Sequence, residues 1–125
     1  MRKEDLKKIR EVYQSITKLE NDIQTSFGLN LNEAVMLCSL REKETLTSGE
    51  LATELCLSNS NASKVIASVE KKGLVRRKVS KEDKRQMCFT LTAKGNRFME
   101  EVNCEEICLP EVLMDFIEEE KSRSI

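Results

Sequence analysis

The sequence predicts a mostly α-helical fold with one small antiparallel β-hairpin, in a single domain spanning residues 1–125. Three observations predict it. Apolar residues recur at helical spacing along most of the chain, cap signals stand in front of several of these segments, and one cleanly alternating run faces a second strand-like run across a polar loop. At 125 residues, 39% hydrophobic and 34% charged, the chain is long enough to bury a core and has the make-up of a soluble, helix-rich protein. No apolar run is long enough to span a bilayer, and Met1-Arg2-Lys3-Glu4-Asp5 leads into an amphipathic pattern rather than a signal peptide. The expectation is a cytoplasmic protein without a membrane partner.

In the first segment Leu6, Ile9, Tyr13, Ile16, Ile23 and Phe27 follow a period of roughly 3.5 residues, broken once at Glu20, with Val12 and Leu19 widening the stripe. This helix ends near Gly28. A second begins after Asn30, which with Glu33 makes a cap signal, and it buries Ala34, Leu37 and Leu40 or their neighbours. Thr47 and Glu50 have capping-box spacing, each side chain satisfying a free amide at the start of a third helix that buries Leu51, Ala52 and Leu55. Ser58 is the next N-cap, and Ala62, Val65, Ile66 and Val69 line one face until Gly73 closes the helix. The outside of its first turns is left with Asn59, Ser60, Asn61, Ser63 and Lys64, a small, polar, unhindered surface suited to nucleic acid. A helix, a turn and a second helix of this kind form the helix-turn-helix of DNA readers, in which the start of the second helix meets base edges.

Leu74 to Val79 and Gln86 to Leu91 read as strands, the second with Met87, Phe89 and Leu91 on one side and Cys88 and Thr90 on the other. The loop Ser80-Lys81-Glu82-Asp83-Lys84-Arg85 between them is too polar to be buried, which makes the hairpin a wing. Thr92 starts a helix containing Phe98, Met99 and Val102. The last stripe, Leu109, Val112, Leu113, Phe116 and Ile117, has Pro110 in the first turn of its helix. Charge is segregated along the chain: residues 59–97 carry eleven bases against three acids, and residues 98–125 two against nine. A basic surface that meets phosphate explains that split, although charge runs are also ordinary solvated faces.

Leu51-Ala52, Leu57-Ser58, Val69-Glu70-Lys71-Lys72-Gly73-Leu74-Val75-Arg76-Arg77, Asp83-x-Arg85 and Leu91-Thr92-x-x-Gly95 together resemble the winged helix-turn-helix of the MarR family of bacterial transcription regulators. The resemblance covers about fifty continuous residues up to Gly95, within a winged helix-turn-helix placed at 30–95, and the flanks carry no such signature. It implies a homodimer on pseudo-palindromic double-stranded DNA, released by a small molecule or by oxidation. The flanking segments 1–28 and 96–125 are then dimerisation helices, contributing Leu6, Ile9, Tyr13, Ile16, Val112, Leu113, Phe116 and Ile117; the bland alternative is that these stripes fill a monomer core. Tyr13 has the same two readings, core filler or lining for a small aromatic effector in a cleft.

On this reading the helix from Asn59 enters the major groove, where Asn61 pairs with adenine or is only a helix-start residue, and Lys64 meets phosphate. In the wing the resemblance assigns Arg85 to the minor groove with Asp83 holding it, alongside Lys81 and Lys84; the alternative is a surface ion pair. Five cysteines, an odd number without an export signal, argue against a disulfide framework, and the absence of histidine removes Ser-His-Asp and Cys-His catalysis. No enzyme, metal or cofactor is indicated. Cys104 and Cys108, four apart, share a helix face and either form a soft-metal or redox pair or act as small hydrophobes. Peroxide sensors of the family carry their cysteine in the first helix, and this chain has none before Cys38. Cys56 falls in the turn where glycine is frequent, and a left-handed backbone there costs about 1 kcal/mol. Two rival functions remain, a winged-helix protein-interaction module and a thiol-based redox or metal sensor.

Overall fold

The computed structural model describes residues 1–80, 86–102 and 109–123. Six helices and three short strands follow in the order α1 (Lys3–Phe27), α2 (Leu31–Lys43), β1 (Leu46–Thr47), α3 (Ser48–Leu55), α4 (Asn59–Lys71), β2 (Val75–Val79), β3 (Met87–Leu91), α5 (Ala93–Glu101) and α6 (Glu111–Arg123). They fall into two compact units: residues 1–30 with 103–125, and residues 31–102.

The terminal unit contains α1 and α6, which contact each other. Gly28 ends α1 in the left-handed conformation, φ 69°, and its amide donates to the Gln24 carbonyl at 2.9 Å. Of α1 only Ile23 is buried, and none of α6 is. Leu6, Ile9 and Tyr13 are 52%, 57% and 67% exposed, and Phe116 and Ile117 are exposed as well. Ile16, Val112 and Leu113 are half-buried. The core-filling reading of Tyr13 is therefore wrong for the single chain. Its stripe has the right period, but Leu6, Ile9 and Tyr13 along it stay exposed among the described residues.

The second unit packs α2, α3, α4 and α5 against a small sheet of order β1-β3-β2, antiparallel throughout. Met36, Leu37, Leu40, Leu51 and Val69 are fully buried and form the centre of its core. The capping box forms as expected: Glu50 N donates to Thr47 Oγ1 at 3.1 Å and Thr47 N to Glu50 Oε1 at 2.9 Å. Cys56 then takes φ 55°, ψ 40°, so the turn between α3 and α4 is made by a left-handed non-glycine residue. Glu44, after α2, does the same with φ 65°, a feature with no composition signal.

The sheet corrects the hairpin in one respect. β1 had no signal, because two residues are too short for an alternation, yet it pairs Leu46 with Phe89 and Thr47 with Cys88. β3 is thus the central strand, paired along both edges, and Cys88 is buried together with Phe89 and Leu91. Met87, assigned by alternation to the side of Phe89, is 41% exposed because the hairpin runs past the core there. Both strands begin one residue later than expected, at Val75 and Met87.

Thr92 and Gly95 lock α5 onto the start of β2. Thr92 Oγ1 accepts from Gly95 N at 2.9 Å and donates to the Gly73 carbonyl at 2.6 Å, while Thr92 N donates to the Leu74 carbonyl at 3.0 Å. A β-carbon on Gly95 would lie 2.1 Å from the Leu74 oxygen, so only glycine allows this approach.

Candidate nucleic-acid interface

Ser58 starts α4 by accepting from Asn61 N at 3.1 Å, and Ala62, Val65, Ile66 and Val69 turn into the core. That burial fixes which face is left outside. Asn59, Ser60, Asn61, Ser63 and Lys64 are all exposed, as their spacing predicts. Ser63 Oγ donates back to the Asn59 carbonyl at 2.9 Å, so its hydroxyl remains an acceptor only. Among the described residues no other group engages the side chains of Asn59, Ser60, Asn61 and Lys64. The first turn of α4 contains no acidic residue, which leaves the positive end of the helix dipole uncompensated. Amide donors and acceptors, a hydroxyl and an ammonium group thus lie together on a convex helix face, with the chemistry to meet base edges and phosphate.

The neighbouring hairpin supplies cations unequally. Arg76 and Lys78 are exposed on β2 with no ion-pair partner among the described residues. Arg77 is different: its Nε and Nη2 donate to the two oxygens of Glu70 at 2.9 and 2.7 Å, and its guanidinium sits 5.7 Å from the centre of the Phe89 ring. These hydrogen bonds hold the Glu70 carboxyl below the usual carboxylate range and raise Arg77 above its ordinary value. Lys72 is likewise committed, its Nζ donating at 2.9 and 2.7 Å to Glu33, which is 2% exposed and also accepts from Ser68 Oγ at 2.7 Å. Two of the eleven bases counted along residues 59–97 therefore fasten α4 to its surroundings. No periodicity rule connects a helix-end glutamate to a strand arginine seven residues on, so the count alone overstates the free charge. Lys81, Asp83, Lys84 and Arg85 lie outside the described residues, as do Cys104 and Cys108.

A model of the MarR family matches residues 29–87, the stretch from the start of α2 to the start of β3. AbsC, a MarR family transcriptional regulator from Streptomyces coelicolor, superposes with a TM-score of 0.70 at 31% identity, over 82% of this chain and 68% of that one. The chain belongs to the MarR family. A second MarR family regulator of the same organism, solved in complex with DNA, matches with a TM-score of 0.70 at 27% identity over 82% of this chain and 68% of its own. The transcriptional repressor MprA of Escherichia coli K12 is 30% identical over 88 residues, 67% of this chain and 50% of that protein. This chain thus spans about half the length of that curated relative. These relatives are transcriptional regulators by name.

Proposed function

We propose that this MarR family chain is a sequence-specific DNA-binding transcriptional regulator that acts as a homodimer on a pseudo-palindromic operator. The observation that carries it is the exposed, unengaged polar face at the start of α4 beside a cationic hairpin, in a fold whose relatives include a regulator solved on DNA. In this reading Asn61 meets a base edge and Lys64 a phosphate, with Asn59, Ser60 and Ser63 flanking them. The hairpin runs alongside the duplex, and the position-by-position likeness gives Arg85 the minor groove with Asp83 as its holder and Lys81 and Lys84 beside it. The exposed apolar side chains of Leu6, Ile9, Tyr13, Phe116 and Ile117 support pairing of the terminal helices between two copies.

Selection of bound duplexes from a random pool tests the reading. A two-fold symmetric site with fixed half-site spacing is the expected result, and affinity should fall steeply with salt. Enrichment of no sequence, together with salt-insensitive binding, overturns it in favour of a protein-interaction module. Release by a small aromatic effector is a further part of the proposal. It fails if small anionic aromatics neither raise the melting temperature nor loosen the selected operator.

A further inference from the structure

We propose that Glu70 and Arg77 are a positioning pair that holds the recognition helix and the wing in one relative geometry, so that operator discrimination depends on two residues that do not touch DNA. This rests on the DNA-binding reading above. Glu70 stands in the last turn of α4 and Arg77 in the middle of β2, so the contact joins the two elements assigned to the duplex. Its geometry is the planar fork matched to a carboxylate, with both bonds under 3 Å. Phe89 backs the guanidinium at 5.7 Å from its ring centre, and Phe89 is buried in the central strand, so the arginine is stacked on a fixed surface. An exposed pair between two flexible side chains does little, but here the fork, the ring and the 22% exposure of the Glu70 side chain restrict both partners.

Without the pair, α4 and β2 keep the short hydrogen-bonded turn through Gly73 that joins them, but the tie from the end of α4 to the middle of β2 is lost and their angle is less tightly held. Operator binding needs both at once, so it must then fix that angle. Non-specific binding, which accepts many poses along the phosphates, needs it less.

Charge counting predicts the opposite result for Glu70. Glu70→Gln removes one negative charge per subunit from the unit that carries the DNA-facing surface, which by electrostatics alone tightens binding. The positioning role predicts a loss. Arg77→Lys keeps the charge and loses the fork and the stack, and Arg77→Met removes all three.

The experiment is a salt titration of wild type and these three variants on the selected operator and on a scrambled duplex. It is run well below each variant's melting temperature, with folding checked by circular dichroism. The expected result is a fall of about tenfold in the operator-to-scrambled affinity ratio for each variant, within the range for residues of one network, with the wild-type salt slope retained. Arg77→Lys, the mildest change, carries the test if Glu70→Gln fails to fold. Operator binding by Glu70→Gln or Arg77→Lys as selective as wild type overturns the proposal and assigns the pair to stability alone. Equal weakening on both duplexes by Arg77→Met, with a slope lower by about one per subunit, overturns it by making Arg77 a phosphate contact. If the wild type itself does not separate operator from scrambled duplex, the DNA-binding reading falls and takes this one with it; if only the variants behave like wild type, the positioning role falls alone.

Discussion

At Gly95 the backbone of α5 passes so close to the Leu74 carbonyl that a methyl group has nowhere to go. The obstacle is main chain, which cannot rotate aside, so Gly95→Ala should cost about 3 kcal/mol, the upper end of ordinary overpacking. A drop in the urea midpoint checks this, and a wild-type midpoint would mean that α5 shifts freely. Asn61 is a different kind of residue, exposed and without a side-chain partner among the described residues, so its replacement should leave stability alone. Asn61→Ala should relax base preference at one symmetric pair of operator positions, costing about 1 to 3 kcal/mol per lost bidentate contact with the salt slope unchanged. Sequence selection repeated with the mutant reads this directly. The glycine and the threonine caps were legible as residues. Glu44 and its left-handed backbone were not, since a glutamate carries no local signal for that conformation and keeps it because its surroundings hold it.

At the scale of elements, caps and periodicity located the helices because both are local. Thr47, Ser58 and Thr92 each accept from an amide three residues on. The pairing of α4 with β2 is not local, and it carries a pH signature. Hydrogen bonds from Arg77 lower the carboxyl of Glu70, and those from Thr47 lower that of Glu50. A depressed folded value means that the unfolded chain binds protons first as pH falls. The contribution is complete above the unfolded glutamate value of about 4.3 and is lost as pH drops through the folded one. The urea midpoint should therefore decline below about pH 5 in the wild type, and less steeply in a Glu50→Gln, Glu70→Gln double variant. Parallel declines would show that other carboxylates govern acid sensitivity.

For the whole molecule, the apolar side chains on α1 and α6 are the largest departure from a self-contained chain. Leu6, Ile9, Tyr13 and Phe116 are each more than half exposed, a surface that a single soluble chain rarely keeps uncovered. Replacing Phe116 and Ile117 by polar residues should shift the sedimentation mass towards monomer and weaken operator binding in parallel. Stability of the winged unit should be nearly unaffected, because α2 to α5 and the sheet bury their own core. An unchanged sedimentation mass would place the contact between copies elsewhere.

Whatever depends on neighbours three or four residues apart, or on alternation within a strand, was determined by the sequence alone. The capped helices α3 and α4, the core face of Ala62, Val65, Ile66 and Val69, the exposed face of Asn59 to Lys64, and the β2–β3 hairpin all belong to that class. Only the tertiary structure decided what depends on residues far apart in the chain meeting in space. It made β3 central through two residues of β1, spent Lys72 on a buried Glu33 and Arg77 on Glu70, and left Tyr13 in solvent. A basic residue in the sequence is a charge without a destination, and the partner that claims it is set by packing.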